Sequence, residues 1–511
     1  MKKYQTYIKE KKMAEFVKIN ASGLAPIREI DERLVSYNVE MTEVTGGTFW
    51  KAYTDAQVDG TEEFPMISDW RDMGNLQQWY DPIDLYDPRL RKMARELGTA
   101  WVRVSGTWAN KTYYDLENKC DGKVPEGYQN LLRREQWIGV LDFVKDIGAK
   151  LLISMTNCPG VHKADEPYPL ALAEKLFSFS KEYGVPIDAA EFTNEPNMMV
   201  MSGLPHGYTA ADHARDHDIF GAWLRENYPE CLFVGPCTVG DIDINMGGKD
   251  NVGGGIASAL QMVTTEELLG DQKVKMDVFS YHYYNGISER GAAMGGHWPE
   301  SKCLTEEYLA VAGDCARQYL DRRDRYVPGG QLWVTESGDA GCGGNTWAPT
   351  YLDVPRTLNE LGEFATVTDG IIFHNTLASS AYGFLEHGTF EPRPNYFAVL
   401  LWNRLMGSTV YASGEQIREG AHVYAHSRKD GKNGYAYLII NNSRTETTTL
   451  ELPHAASTYV LEGQGKLRSR VMTLNGKPLT LGENDELPAL EPVTVEGKLT
   501  LAPGACAFVL V

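Results

Sequence analysis

An eightfold alternation of short apolar runs with amphipathic segments restricts the fold more than any other feature of the sequence. The runs are Leu34 to Glu40, Ala100 to Val104, Lys150 to Thr156, Ile187 to Thr193, Cys231 to Gly235, Met276 to Tyr283, Gln331 to Thr335 and Gly370 to Asn375. Helical spacing of apolar residues follows most of them, in stretches such as PRLRKMARELG, EQWIGVLDFVKDIG and AADHARDHDIFGAWLRENYP. Strands that alternate with helices predict a parallel sheet, and eight such units predict a closed (β/α)8 TIM barrel. A doubly wound sheet is the structural alternative.

The pattern changes after residue 408. Segments such as GKNGYAYLIINNS and GKLTLAPGACAFVLV alternate polar and apolar residues between glycine, asparagine and proline, which is typical of an antiparallel β-sandwich. The early segment AEFVKINAS also alternates, and we expect it to add a strand to that sandwich. The predicted organisation is therefore an N-terminal segment at 1–30, the barrel at 31–408 and the C-terminal sandwich at 409–511.

Charge and composition exclude several classes of partner. The formal net charge is −20, from 69 acidic and 49 basic residues, which disfavours nucleic acid and an anionic membrane surface as partners. The lysine-rich N-terminus lacks the apolar core of a secretory signal, and no window approaches the roughly 18 apolar residues of a membrane helix. Eight cysteines without a CxxC pair predict free thiols. We therefore expect a cytoplasmic protein.

Two glutamates stand where barrel enzymes place their chemistry, at the carboxyl ends of strands. Glu195 lies in AAEFTNEPNMM after the fourth predicted strand, and Glu336 lies in QLWVTESGDAGCGG after the seventh. Breaking an acetal needs a proton for the leaving oxygen and an anion opposite the developing oxocarbenium ion. Two carboxyl groups roughly 5 to 5.5 Å apart supply both with retention of configuration. The pair predicts a retaining glycosidase, whose partner is a carbohydrate substrate.

At these motifs the chain resembles the retaining barrel hydrolases of clan A and, within them, glycoside hydrolase family 79, the heparanase and β-glucuronidase group. The motifs are LRKMARELGTAWVRVSGT, NEPN at 194–197, GP at 235–236, YHYYNG at 281–286, TES at 335–337 and PNYFAVLLWNRLMGSTV. The resemblance covers most of residues 90–415. It implies that Glu195 is the general acid/base, that Glu336 is the nucleophile and that Asn194 bonds the sugar 2-hydroxyl.

The same resemblance implies how a β-linked uronic acid would be held. Tyr283 matches a tyrosine that hydrogen-bonds the nucleophile, and Tyr382 matches one that binds the substrate carboxylate. Backbone amides of a glycine-rich loop complete that carboxylate site, at positions corresponding to Cys342 and to Gly343 or Gly344. Glycine lets a backbone approach an anion closely. A cysteine interrupts the glycine run here, which leaves a plain flexible turn as the alternative.

Further residues at strand ends are expected to line the pocket, namely Glu40, Thr107, Trp108 and His282. Glu40 is expected either to accept bonds from sugar hydroxyls or to serve as a structural ion-pair partner. Arg103, within the second strand, would keep the nucleophile charged if it lies beside it, or would brace the barrel.

The sequence offers no support for a metal or a nucleotide cofactor. It contains no HExxH, GxGxxG or Walker motif. His213 and His217 are spaced i, i+4 beside Asp212, which is compatible with a metal, but we interpret them as a solvated helix face.

The leading hypothesis is a β-glucuronidase that works by double displacement, exo-acting on small glucuronides. Two long segments, Ala52 to Asp87 and Asp241 to Glu267, are expected to close one end of the cleft. A same-clan hydrolase acting on a β-xyloside or β-glucoside is the alternative if the loop at 338–345 cannot present amides to a carboxylate. A non-catalytic carbohydrate-binding barrel is a third possibility, against which the presence of both carboxylates argues.

Overall fold

A closed barrel of eight parallel strands forms the centre of the molecule. The computed structural model describes residues 16–240 and 261–511. The barrel strands pair in chain order: β1 Val35–Glu40, β2 Trp101–Ser105, β3 Lys150–Ser154, β4 Ala189–Glu191, β5 Leu232–Val239, β6 Val278–Tyr284, β7 Gln331–Gly338 and β8 Ile372–His374. Each strand overlaps one of the predicted apolar runs. The predicted TIM barrel is confirmed, and a doubly wound sheet is excluded because the sheet closes on itself.

Helices cover the outside of the barrel. Their bounds are Met41–Thr45, Asp55–Val58, Pro88–Glu96, Arg134–Ile147, Ala171–Tyr183, Ala210–Asn227, Thr265–Leu269, Glu306–Tyr326, Val354–Val367 and Pro394–Leu405. Local sequence sets their ends. The Thr209 hydroxyl accepts from the Asp212 amide to begin one helix, and Gly148 in the left-handed region ends another.

The inside of the barrel is filled in layers. Trp101, Leu152, Ala189 and Val278 belong to a buried apolar cluster contributed by neighbouring strands. Side chains alternate across a strand, so the residue two positions later on each strand points inward again, one layer higher. Those positions hold Arg103, Ser154, Glu191 and Ser280, all of them buried. A polar layer therefore lies on the apolar one, toward the carboxyl ends of the strands.

Two further sheets lie beside the barrel, a large antiparallel one and a small mixed one in which the N-terminal strand pairs in parallel. A nine-stranded sheet contains Pro26–Glu29, Met406–Tyr411, His422–Arg428, Tyr435–Ile440, Cys506–Leu510, Ala456–Gly463, Met472–Leu474, Lys477–Pro478 and Val493–Val495. A three-stranded sheet contains Val17–Lys18, Thr448–Glu451 and Lys498–Leu501. Strands from the N-terminal segment thus enter both sheets.

Alternation along the strands places the large sheet between two cores. Tyr437 and Ile439 join a cluster with Leu450 and Leu501 of the small sheet, which makes the two sheets a sandwich. Their neighbours, such as Leu438, belong instead to the main core with the helix Val354–Val367. The sandwich packs against the barrel through the other face of the same strands.

An antiparallel strand pair, a short parallel pair and loops cover the carboxyl ends of the barrel strands. Gly47–Trp50 pairs with Gln77–Tyr80 in the long segment after β1, and Thr112–Asp115 pairs with Asn130–Arg133 after β2. Of the second long segment predicted to close the cleft, residues 241–260 lie outside the described residues.

Two observations bear on the environment of the chain. None of the helices in the described ranges has both the length and the apolar character needed to span a bilayer. The eight cysteines are free in the structure. The cytoplasmic location stays a prediction.

Candidate active site

Arg103 organises the polar layer at the top of the barrel. Its side chain is fully buried on β2 and donates to Glu191 on β4, with Nη2 2.9 Å from Oε2. The same guanidinium donates through Nη1 to Glu336 Oε1 at 3.0 Å and through Nη2 to Asn194 Oδ1 at 2.7 Å. One planar donor thus fixes groups from β4, its following loop and β7, as the fork geometry of arginine allows.

Glu195 is partly buried beside a neutral histidine. Burial raises the pKa of Glu195 to about 7, against the opposing effects of Arg103 and the Thr107 hydroxyl. His282 Nδ1 lies 2.9 Å from Glu195 Oε1, and His282 Nε2 lies 3.3 Å from Arg103 Nη2. Since a guanidinium only donates, Nε2 accepts and Nδ1 carries the proton. Burial also lowers the pKa of His282 to about 4, so the ring is neutral and donates to Glu195.

Glu336 receives donors on both carboxylate oxygens. Besides the bond from Arg103 to Oε1, the Tyr284 hydroxyl donates to Oε2 at 2.8 Å. Asn375 after β8 donates through Nδ2 to Tyr284 Oη at 3.0 Å and holds that hydroxyl in place. Hydrogen bonds to both oxygens fix the orientation of the Glu336 carboxylate.

The two carboxylates face each other across a short gap. Ligand-type atoms of Glu195, His282 and Glu336 all lie within 4.8 Å of one another. These oxygens are closer than the roughly 6.5 to 9.5 Å that separates the carboxyl groups of inverting glycosidases. One carboxyl group with a raised pKa beside one carboxylate with two donors can protonate a leaving group and attack a carbon.

The side chain of Asn194 is held so that its Nδ2 group is free to bind a ligand. Its Oδ1 accepts from Arg103, while its buried Nδ2 has no hydrogen-bond partner among the described residues. Asn110 fixes the backbone on both sides, since its Oδ1 accepts from the Asn194 amide at 2.9 Å and its Nδ2 donates to the Asn194 carbonyl at 2.9 Å. A buried donor without a partner is costly, and a substrate hydroxyl would satisfy it.

The glycine-rich loop after β7 turns with three consecutive residues at positive φ, Cys342 at 63°, Gly343 at 96° and Gly344 at 81°. The Gly344 amide donates to the Ala340 carbonyl at 3.2 Å. Within residues 16–240 and 261–511, the amides of Cys342 and Gly343 have no acceptor. A Cβ at Gly343 would lie 2.7 Å from Trp50 Cβ, so only glycine fits there. The loop therefore offers two free amides.

No protein-family model matches the chain. Heparanase-like protein 1 of Arabidopsis thaliana is 24% identical over 482 residues, covering 84% of each protein. The baicalin-β-D-glucuronidase of Scutellaria baicalensis is 31% identical over 249 residues, covering 47% of this chain and 46% of that protein. The chain is a glycoside hydrolase that resembles family 79. The crystal structure of a 4-O-α-L-rhamnosyl-β-D-glucuronidase from Fusarium oxysporum has the same fold, with a TM-score of 0.62, 14% identity and coverage of 97% of this chain and 100% of that one.

The prediction that Tyr283 hydrogen-bonds Glu336 is wrong by one residue. Tyr283 points outward, between the barrel and its helices, and its hydroxyl donates to Asn285. Tyr284 and His282 point inward, because successive side chains alternate across β6. Tyr284, not Tyr283, bonds Glu336.

The other predicted pocket residues gather around the two carboxylates, with one correction. Tyr382 lies beside Asn375, which donates to its hydroxyl at 3.3 Å, and its ring centroid is 6.5 Å from that of Tyr284. Trp108 packs edge-on against Phe49 at 5.2 Å near the mouth. Glu40 is buried, and in the described part of the chain it forms no ion pair; its Oε2 is unpartnered. Burial raises the pKa of Glu40 well above its usual value, so the ion-pair alternative is wrong.

The histidine pair on the helix Ala210–Asn227 does not form the predicted solvated face. His213 and His217 are 1% and 2% exposed and pack against Phe192. Burial lowers the pKa of both. Asp212 faces away and accepts from the Thr209 amide at 3.0 Å, so the three do not form a metal site.

Among the described residues, the group that could hold a metal ion by its spacing is formed by Glu195, His282 and Glu336. These residues offer three ligand-type atoms close together. The buried guanidinium of Arg103 lies 3.0 Å from Glu336 and 3.3 Å from His282, and this fixed positive charge would repel a divalent cation. The donor set fits a hydrogen-bonded acid–base pair better than a metal.

Several residues that the sequence did not single out complete the site. They are Tyr284, Asn110, Glu191 and Asn375, together with two arginines, the buried Arg290 and the partly buried Arg393. No local pattern distinguishes Tyr284 from Tyr283, because tyrosines lie on both faces of β6. The amide and carboxylate partners carry no local signal, since their role arises from contacts between distant strands.

Proposed function

We propose that the chain is a retaining β-glucuronidase that removes a terminal glucuronic acid from small glucuronides through a glycosyl-enzyme intermediate. The observation that carries the mechanism is the short separation of Glu195 and Glu336, whose ligand-type oxygens lie within 4.8 Å. Burial keeps the proton on Glu195 near neutral pH, while Arg103 and Tyr284 donate hydrogen bonds to the Glu336 carboxylate.

In the first step Glu336 attacks the anomeric carbon and Glu195 donates its proton to the leaving oxygen. The raised pKa of Glu195, about 7, keeps that proton available near neutral pH. The neutral His282 donates to Glu195 and does not compete as an acid. Asn194 Nδ2, buried and unpartnered, is placed to bind a sugar hydroxyl beside the reacting carbon.

In the second step the ester at Glu336 is hydrolysed. The negative charge on Glu336 disappears when the ester forms, which removes its repulsion on Glu195 and lowers the affinity of Glu195 for a proton. Glu195 then accepts a proton from water as that water attacks the anomeric carbon. Arg103 and Tyr284 stabilise the returning Glu336 carboxylate as the C–O bond breaks.

The uronic acid assignment is supported by an anion site at the loops after β7 and β8. The amides of Cys342 and Gly343 are free, and Tyr382 lies so close to the same loop that a Cβ at Gly344 would come within 3.3 Å of it. Arg290 is buried and Arg393 is partly buried near these loops, and neither makes an ion pair with any described residue. A carboxylate bound at the amides would supply the missing negative charge.

Exo action is supported by the segment that covers this end of the site. Tyr53 and Val58 pack against Ala348, Ala381 and Tyr382, so the segment after β1 lies over the loops that would hold the uronic acid. Arg290 fastens it by donating to the Lys51 carbonyl at 2.6 Å. A chain continuing past the terminal sugar would meet this wall.

The test compares 4-nitrophenyl β-glucuronide, β-glucoside and β-xyloside, with Glu336→Ala as the blank. We expect turnover of the glucuronide, little of the other two and none in the variant. An NMR spectrum of the first product formed should show the β-anomer, as retention requires.

The outcomes separate the parts of the proposal. Turnover of only the neutral sugars with retention would keep the mechanism and refute the uronic acid assignment. Release of the α-anomer would refute the double displacement. Full activity of Glu336→Ala would refute the nucleophile.

A further inference from the structure

A cavity of about 640 Å³ opens between the loops that follow β2, β3 and β4. Its lining is mixed, with Lys111, Tyr128, Met199, Leu204 and His206 among the residues that face it. A second cavity of about 440 Å³ shares Pro159 and His206 with it and extends it outward. A volume of this size is typical of sites for small organic ligands.

The cavity wall is built from the loop that carries Glu195. Ser202, within that wall segment, donates from Oγ to the Glu195 carbonyl at 2.6 Å. Asn110, the neighbour of Lys111, donates to the Asn194 and Ser202 carbonyls at 2.9 and 3.1 Å. The cavity thus lies on the side of the acid, opposite the loops after β7 and β8.

Lys111 is the charged group in this cavity that lacks a partner. Its ammonium forms neither a hydrogen bond nor an ion pair with any residue of the described ranges, although the chain is strongly acidic. Burial lowers the pKa of Lys111. The side chain lies over Gly203, where a Cβ would be 2.2 Å from Lys111 Cε and 3.1 Å from Nζ. Glycine there leaves the space that the lysine occupies.

We propose that this cavity is the aglycone subsite and that Lys111 pairs there with a carboxylate on an aromatic leaving group. The inference rests on the proposed role of Glu195, because the acid protonates the leaving oxygen and the leaving group therefore lies on its side. Tyr128, Met199 and Leu204 supply apolar contact for a ring. A desolvated ammonium without a counter-ion gains most from a bound anion.

The first test needs no sugar. Fluorescence titration compares 7-hydroxycoumarin-3-carboxylate with 7-hydroxycoumarin on the wild-type chain, on Lys111→Met and Lys111→Arg, and on the exposed control Lys123→Met. We expect the carboxylated coumarin to bind about tenfold more tightly to the wild type, the difference a charge-assisted hydrogen bond supplies. Lys111→Met should lose that preference, while Lys111→Arg and Lys123→Met should keep it.

The second test places the cavity on the reaction path. For 3-carboxyumbelliferyl and 4-methylumbelliferyl β-glucuronide, the ratio of kcat/KM should fall about tenfold in Lys111→Met and recover in Lys111→Arg. Equal binding of both coumarins by the wild type, or a preference that survives in Lys111→Met, would refute the anion site. A lost preference with an unchanged kcat/KM ratio would refute the aglycone subsite. Anion binding through Lys111 without cleavage of either glucuronide would refute the proposed function and keep the anion site.

Discussion

The raised pKa of Glu195 predicts where the activity is lost as the pH rises. A carboxyl group with an ordinary pKa of 4.5 would be protonated in only about 3% of molecules at pH 6, whereas one with a pKa of about 7 is protonated in about 90%. Burial thus increases the population of the acid form about 30-fold at that pH. Because the first step uses the protonated form, kcat/KM should fall as pH rises through about 7.

The assay is a pH profile of kcat/KM from pH 4 to 9 on the wild type and on Glu195→Gln. Glutamine cannot donate the proton, so the basic limb should disappear and kcat should fall by about 10² to 10⁴ on a methyl glucuronide. The loss should be much smaller on a 2,4-dinitrophenyl glucuronide, whose leaving group needs no proton. Glu166→Gln is the matched control, since that glutamate is exposed and pairs with Lys163.

Two results would refute this reasoning. A wild-type profile that stays flat to pH 8 would mean that the acid is not a group with a pKa of about 7. A Glu195→Gln variant that keeps the basic limb of the pH profile would assign the acid to another residue. The same conclusion would follow if its kcat fell equally on the methyl and the 2,4-dinitrophenyl glucuronide.

Three further outcomes follow from contacts in the site. Tyr284→Phe removes a hydrogen bond to a charged oxygen, worth about 1.5 to 3 kcal/mol, so kcat should fall about 10- to 100-fold. The control Tyr283→Phe should change mainly the thermal unfolding midpoint. The reverse pattern would show that Tyr283 is the tyrosine that acts on Glu336. Arg103→Lys breaks a buried bidentate arrangement and should lower kcat/KM by at least about 100-fold, and near-normal steady-state kinetics would contradict its organising role. Arg290→Gln should lower the β-glucuronide to β-glucoside ratio of kcat/KM about tenfold with a common leaving group; an unchanged ratio would make it a purely structural brace.

The barrel and the two carboxylate positions are predictable from sequence because both depend on local pattern. An apolar run of strand length followed by helical spacing needs no tertiary information, and catalytic groups of barrels follow strand ends. The same logic fails at YHYY on β6, where polar aromatic residues occupy both faces. Only the strand's pairing with β7, which shifts register between Tyr281 and His282, decides which tyrosine faces Glu336.

The histidine pair shows a signal that was present and misread. His213, His217, Phe220 and Leu224 follow the i, i+4, i+7, i+11 spacing of one helix face, and that face is buried. The apolar neighbours of the two histidines therefore indicate a buried face and not the solvated face predicted for this helix. By contrast, the roles of Asn110 and Arg290 have no such signal, because their partners are tens to hundreds of residues away.

The location of four cations reconciles a strongly acidic chain with an anionic substrate. Arg103 and Arg290 are buried and Lys111 and Arg393 are partly buried around one face of the barrel. Only Arg103 has carboxylate partners in the described structure. Surface acids act through water and salt, which screen charges over about 8 to 10 Å, whereas buried charges are screened far less. The potential that a bound uronate meets is therefore set by the cations behind the amide loop and not by the net charge of −20. The same argument places a second anion preference at Lys111, on the far side of Glu195. A substrate with one carboxylate on the sugar and another on the aglycone would then extend across Glu195 and Glu336. Each of its two carboxylates would lie near a cation that has no carboxylate partner.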